Sequence, residues 1–160
     1  MIRVWFLILL LLGGCTSQSP LPGNPPEMQL PKQLHIVRNQ AEQRQDWLLV
    51  IQREANGLRW SMMDPLGIPL ARQLLIEGRW QNDGLLPPNP EARELFEGLM
   101  FAMSSDVEMA ARYPSARRQG MQRRLENRWL VEYQSADAFT LRLKDGLSYQ
   151  VTPLNSEPSR

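Results

Sequence analysis

Residues 47–75, WLLVIQREANGLRWSMMDPLGIPLARQLL, decide the fold of this chain. Three runs rich in β-forming residues, at 47–53, 58–63 and 70–77, are separated by turn signals. Asn56–Gly57 is typical of a hairpin turn, and Asp64–Gly67 places proline and glycine where a tight turn uses them. This stretch therefore predicts strands that pair in an antiparallel sheet.

The same kind of pattern extends the predicted sheet on both sides of this stretch. His35–Val37 is expected to begin the sheet. Trp129–Tyr133, Phe139–Leu143 and Leu147–Val151 are expected to complete it, with a turn at 144–146 between the last two.

Two helices are predicted between these groups of strands. Residues 90–103 carry an apolar stripe at helical spacing, after an N-cap at Asn89 and a proline at the first helical position. A capping box at 105–108 opens a second, short helix that ends before Pro114. We expect an α+β domain, a curved antiparallel sheet covered by one or two helices.

Composition limits the classes of function. The chain has 160 residues, a formal net charge of +1, one Cys and one His. The length suggests one domain, and the charge argues against a nucleic-acid partner. One Cys and one His supply neither an internal disulfide nor the usual zinc site, so we expect no metal and no cofactor.

The sequence lacks the patterns typical of enzymes, and we expect no catalytic residues. A Ser-His-acid triad would have to use His35, and Ser148 lacks the second glycine of a nucleophile elbow. The sequence has no phosphate-binding loop and no dinucleotide fingerprint.

The N-terminus predicts export and lipid anchoring. Arg3 precedes an apolar run at 4–12 that would span about 14 Å as a helix, less than half of a hydrocarbon core. Residues 1–14 are therefore predicted to be a signal peptide. The tetrapeptide LGGC at 12–15 resembles a bacterial lipobox, which implies an acylated Cys15; the alternative is an ordinary signal peptide with an incidental Cys.

The segment after Cys15 predicts the location and the domain limits. In lipoproteins of this type an Asp after the lipidated Cys favours the inner membrane, and Thr16 stands there instead, which implies the periplasmic face of the outer membrane. Residues 16–33 are rich in proline and predict a semi-rigid tether. The folded domain is expected at 34–154, before a polar tail at 155–160.

Large apolar side chains on the early strands and the first helix allow two interpretations. They either fill the core between sheet and helix, or they line an apolar pocket with the helix as its lid. The candidate lining residues are Trp47, Leu49, Trp60, Met62, Phe96 and Met100.

Two further features allow both a structural and a functional interpretation. Leu66 stands at a turn tip between Pro65 and Gly67, and it either packs back onto its own domain or is exposed to touch a membrane or an apolar partner. Six arginines fall between 112 and 128, opposed only by Glu126. They form either a solvated connector or a patch for lipid phosphates or an acidic partner.

Three stretches resemble a family of small, uncharacterised bacterial lipoproteins often found beside aryl-polyene-type lipid biosynthesis genes. They are IQREANGLRWSMMDPLGIPLARQLL at 51–75, NDGLLPPNPEARELFEGLMFAM at 82–103 and RWLVEYQSADAFTLRLKDGLSYQV at 128–151. More distantly, the chain is similar to the outer-membrane lipoprotein receptor LolB and its soluble relative LolA, which fold as an incomplete β-barrel covered by helices.

The resemblance to LolB implies an apolar cavity for acyl chains, a lid at 90–103 and a membrane-touching loop, Pro65–Gly67, with Leu66 at its tip. The connection between Tyr133 and Phe139 is short, and one or two strands of the barrel are expected to be missing.

These observations lead to two hypotheses about function. The first is an outer-membrane-anchored lipoprotein that binds acyl chains and aids delivery of a lipid or lipoprotein cargo, which a periplasmic carrier protein would hand over. The second is a non-transporting scaffold lipoprotein that binds a protein partner in an envelope assembly.

Overall fold

The computed structural model describes residues 25–154. The predicted signal peptide, the predicted lipidation site Cys15 and the predicted tail lie outside the described residues. The described strands are β1 (Lys32–Gln40), β2 (Gln43–Glu54), β3 (Gly57–Met63), β4 (Pro69–Ile76), β5 (Arg79–Asn82), β6 (Ala116–Gln119), β7 (Gln122–Leu125), β8 (Trp129–Tyr133), β9 (Phe139–Arg142) and β10 (Ser148–Pro153). The α-helices are α1 (Pro90–Met103) and α2 (Asp106–Arg112), and a short 3-10 helix spans Lys144–Gly146.

All ten strands form one antiparallel sheet in the order β5-β4-β3-β2-β1-β10-β9-β8-β7-β6. Two meanders, β1 to β5 and β6 to β10, are joined where β1 pairs with β10. In the described residues β5 and β6 are edge strands that do not pair with each other, so the sheet stays open. The prediction of an α+β domain with an unclosed antiparallel sheet is confirmed.

One face of the sheet carries a continuous apolar layer because the inward residues of neighbouring strands fall in register. Leu49 lies opposite Met62 on one side and Leu34 on the other. In the second meander, Tyr149 lies opposite Leu141. All five are buried, as the two-residue period of a half-buried strand requires.

Helix α1 lies against this layer, and the sheet curves around it. Nine of its fourteen residues are buried, whereas a helix on a protein surface buries only one stripe of its residues. The Phe96 ring of the helix contacts Trp80 of β5 at one edge, and the Phe101 carbonyl accepts from Arg123 of β7 near the other edge. A flat sheet of ten strands would be about 43 Å wide, and a helix only about 10–12 Å across could not reach both. At Gly98 an added Cβ would lie 2.6 Å from Cδ2 of Leu141, so glycine permits this close contact with β9.

Both predicted helices begin and end where the capping residues predict. The Asn89 side chain accepts the N–H of Ala92 at 3.0 Å, and Pro90 begins α1. The reciprocal capping box of Ser105 and Glu108 is present at the start of α2. Within residues 25–154, neither helix has the length and apolar character needed to cross a bilayer.

The arginine-rich segment is not a connector, although Arg117, Arg118 and Arg124 are exposed to solvent as expected. Residues 116–119 and 122–125 form the hairpin of β6 and β7, and Arg123 is buried. The inward positions of β7 are Arg123 and Leu125. Because one of the two is an arginine, the sequence does not show the alternation of apolar and polar residues that identifies a strand. Strand β5 was not expected either, because its four residues include only one apolar side chain, Trp80.

The folded unit also includes part of the segment assigned to the tether. Pro26 is buried, and Met28 and Leu30 pack against the core. The N–H of Glu27 donates to Oε1 of Glu108 at 3.0 Å. The domain therefore reaches back at least to residue 25, ahead of the expected boundary at Leu34.

Candidate functional site

The strand order places several connections at one edge of the curved sheet, which we name the loop rim. It consists of the β1–β2 turn (41–42), the β3–β4 loop (64–68), the β7–β8 turn (126–128) and the β9–β10 connection (143–147). Alternate connections of an antiparallel meander fall at the same edge, and the pairing of Asn39 with Ser148 brings the two meanders together there.

The β3–β4 loop is held in shape by one carboxylate. Oδ1 of Asp64 accepts the N–H groups of Leu66 and Ile68, each at 2.9 Å. The backbone N–H of Asp64 donates to the carbonyl of Ile68, and that of Gly67 donates to the carbonyl of Asp64, both at 3.0 Å. Gly67 has φ +82°, a conformation that glycine adopts without strain.

This loop presents apolar side chains to solvent. Leu66 is 86% exposed and Ile68 is 54% exposed, so Leu66 does not pack back onto its own domain. Pro65 and Gly67 are exposed beside it. Another leucine, Leu85, is fully exposed in the segment between β5 and α1, which starts at the same rim.

The six candidate lining residues all lie in the hydrophobic core. Trp47, Leu49, Trp60, Met62, Phe96 and Met100 are buried, at most 9% exposed. The rings of Trp60 and Phe96 are 5.2 Å apart between centroids. In this conformation the residues fill the space between the sheet and α1, as the first interpretation has it.

Sequence reasoning missed Trp80, which completes this aromatic group. Its ring centroid lies 5.6 Å from that of Trp60 and 5.8 Å from that of Phe96. The side chain comes from the edge strand β5. The sequence signal for this strand is the pair Glu77 and Gly78, which forms the turn that precedes it.

A groove of about 460 Å³ leads from the loop towards this core. Its lining includes Asp64 and Pro65 of the loop and Trp47 and Met62 of the candidate lining, together with Glu91 of α1. The exposed loop and the buried apolar layer are thus connected along the surface.

At the start of α1, Glu91 forms ion-pair and hydrogen-bond contacts with the centre of the sheet. It pairs with the buried Arg38 of β1, and it accepts the O–H of Tyr149 at 2.8 Å. Burial and this hydrogen bond raise the pKa of Tyr149, so the phenol keeps its proton. Burial opposes ionisation of Glu91, but the bonds from Arg38 and Tyr149 hold its pKa below the usual value.

The middle of α1 is held by a second set of contacts. Arg128 donates to Glu94 at 2.6 Å and to Glu97 at 2.9 Å. The indole N–H of Trp129 donates to Glu94 at 2.8 Å. Burial favours the neutral acid, but these donors hold the pKa of Glu94 below its usual value.

The remaining titratable candidate is His35, whose Nε2 lies 2.8 Å from Oδ1 of Asp46. Among residues 25–154, no three His, Cys, Asp or Glu side chains are grouped as a metal site requires. Neither the models of known protein families nor the curated proteins give a match to this chain.

Proposed function

We propose that this protein is a lipid-anchored lipoprotein of the outer membrane that shelters acyl chains and aids delivery of a lipid or lipoprotein. The proposal is carried by one observation, the rigid loop that exposes Leu66. An exposed apolar tip is unfavourable in water and favourable in a bilayer, and apolar patches on exposed surfaces mark contact sites.

The geometry around the loop supports transfer without covalent chemistry. The groove joins the loop to Trp47 and Met62, which belong to the apolar layer beneath α1. Because the side chains of this layer already contact each other, an acyl chain enters only when α1 moves away from the sheet. Apolar area removed from water would then stabilise the bound chain by about 25 cal/mol per Å².

The test is the variant Leu66→Glu. Protein loaded with a fluorescent lipopeptide is mixed with vesicles of bacterial outer-membrane phospholipids, and transfer is followed by dequenching. Losing burial of one leucine in the bilayer should slow transfer about tenfold or more. The thermal midpoint should stay unchanged, because the side chain has little contact with the domain.

Val107→Glu is the matched control. Val107 is also exposed, at 82%, and an acid in the first turn of α2 is favourable to the helix dipole. This variant should transfer lipopeptide like the unchanged protein. Equal transfer by Leu66→Glu and by the unchanged protein would reject the role of the loop.

The second candidate function is a scaffold that binds a protein partner without carrying lipid. It is favoured by the filled interior, since Leu49, Trp60 and Phe96 are fully buried. Native mass spectrometry of freshly purified protein separates the two functions. Bound lipid supports the carrier, whereas a stoichiometric protein partner without lipid supports the scaffold.

A further inference from the structure

A second cleft, of about 930 Å³, opens at the loop rim on the β7–β10 side of the sheet. Its walls come from the end of α2, the β7–β8 turn and the β9–β10 connection. Two of the six arginines that the sequence offers as a patch for lipid phosphates, Arg112 and Arg128, line this cleft.

Two hydrogen-bond donors in the lining have a polar atom without a partner. Tyr113 is 2% exposed, and its hydroxyl has no hydrogen-bond partner among the described residues. Nη1 of the neighbouring Arg112 is also buried without a hydrogen-bond partner among the described residues. Nη2 of the same side chain contacts the carbonyl of Pro25 and the carboxylate of Glu108. Buried donors without acceptors are costly and call for an unseen acceptor.

The chemistry of this pair points to an acidic acceptor. Burial raises the pKa of Tyr113 to about 12, so at neutral pH the phenol carries its proton and donates. Arg112 is a cation, and Lys144 in the lining has no ion pair within the described residues. The nearby carboxylate Glu94 already accepts from Arg128 and Trp129.

Three leucines give the cleft an apolar part. It is formed by Leu125, which is buried, and by Leu143 and Leu147, which pack against the core while lining the cleft. The rest of the lining is largely polar and includes the carboxylates of Glu126 and Asp145. Polar groups that converge on a concave site beside an apolar wall are typical of a small-molecule site.

We propose that this cleft binds an anionic amphiphile, whose carboxylate or phosphate accepts hydrogen bonds from Tyr113 and Arg112 and whose acyl chain lies along the three leucines. The inference deepens the proposed function, on which it rests for the choice of a lipid-like ligand. It gives that ligand a site outside the apolar layer beneath α1.

The test uses the purified full chain and four probes. Dodecanoate and dodecyl phosphate carry the two candidate head groups, dodecanol has the chain without the charge, and inorganic phosphate has the charge without the chain. Tyr113→Phe removes only the unpaired hydroxyl. It should weaken the binding of whichever acidic probe binds, dodecanoate or dodecyl phosphate, about tenfold without lowering the thermal midpoint.

Tyr133→Phe is the matched control, because that hydroxyl already donates to the carbonyl of Ala102 at 2.6 Å. It should leave amphiphile binding unchanged. Leu147→Asp, which places a charge in the apolar wall, is a second variant that should abolish binding. A dodecanoate analogue with a chain-end diazirine should cross-link to peptides containing residues 143–147.

Several outcomes would overturn the inference. Equal binding of dodecanol and dodecanoate would remove the head-group role, and binding of inorganic phosphate as tight as that of dodecyl phosphate would remove the role of the chain. Cross-links confined to the layer around Trp60 and Phe96, with Tyr113→Phe without effect, would overturn this site and leave the proposed function standing. Specific binding in this cleft together with undiminished transfer by Leu66→Glu would leave the cleft as a binding site and overturn the proposed role of the loop in delivery.

Discussion

Arg123 occupies an inward position of β7, where the strand pattern would place an apolar side chain. Its Nη1 donates to the carbonyls of Phe101 and Ser104 at 2.8 and 2.7 Å. Helix α1 has no basic residue in its last turn and leaves carbonyls without helical partners at its end. Arg123 therefore supplies from the sheet both the donors and the positive charge that this helix end requires.

Replacing Arg123 with Met should destabilise the fold by about 3 kcal/mol, because the carbonyls at the end of α1 lose buried donors. Arg123→Lys should retain part of that stability, since the ammonium is a single donor group in place of a planar fork. Urea unfolding followed by tryptophan fluorescence measures the free energy of unfolding for both variants.

Arg124→Met is the control for these two variants. Arg124 is the next residue, is exposed and has no ion pair within residues 25–154. Its replacement should change stability by less than about 0.5 kcal/mol. The assigned role of Arg123 fails if Arg123→Met is no less stable than Arg124→Met.

Helix α1 is fixed to the sheet by polar contacts at three points along its length. Glu91 meets Arg38 and Tyr149 at its start, and Glu94 meets Arg128 at its middle. Arg123 binds its end. A helix held this way is positioned on the apolar layer in one orientation, and its release requires the loss of several contacts.

These contacts predict acid sensitivity of the fold. The pKa values of Glu91 and Glu94 in the folded protein lie below their ordinary value of 4.5. Their stabilising contribution is therefore complete above about pH 4.5 and is lost as the pH falls through the lowered values. Thermal midpoints measured between pH 7 and pH 3 should fall most steeply below pH 4.5.

Glu94→Gln should flatten that pH dependence and lower the midpoint at pH 7, because the amide keeps the shape and loses the charge facing Arg128. Glu126→Gln removes an exposed turn carboxylate without an ion pair in the described residues and should retain the full dependence. Identical pH profiles for the two variants would contradict the role of Glu94.

The open sheet distributes stability unevenly over the molecule. Strands β1, β2 and β10 are central and pair on both sides, whereas β5 and β6 are short edges. Edge strands open by local fluctuations, while central strands open only with the whole fold.

Amide hydrogen exchange should follow this order. The amides of Leu34, Ile36 and Leu49 should exchange slowest, near the rate of global unfolding, and those of β5 and β6 should exchange orders of magnitude faster. Native-state exchange read by mass spectrometry checks this prediction. Equal protection of β5 and β1 would mean that the edge is covered, as it would be in a closed or partnered sheet.

Much of the fold could be predicted because it depends on local chemistry. The pattern of Trp47–Arg53 and Leu58–Met63 identified two neighbouring strands. Asn56–Gly57 indicated the hairpin between them, although the two turn residues are Ala55 and Asn56 and Gly57 begins β3. The caps of α1 and α2 were predicted from side chains that bond to backbone groups within three residues. Such interactions join residues that are close in the sequence, so periodicity and capping rules detect them.

The candidate site was predictable only in part. Leu49 and Leu66 are the same residue type in neighbouring elements, yet one is fully buried and the other is 86% exposed. The turn signal indicated where Leu66 would stand, but two outcomes for its side chain remained open. The hydrogen bonds of Asp64 fix the loop in a shape that leaves Leu66 exposed to solvent.

Local sequence thus specified most of the strands, the helix limits and the place of the tight loop, because each depends on side chains a few residues apart. The three-dimensional fold alone settled the burial of Arg123, the pairing of β1 with β10 and the meeting of Tyr113 with Leu125, Leu143 and Leu147 around one cleft. These contacts join residues far apart in the chain. Their free energy depends on which groups the folded sheet brings together and removes from water.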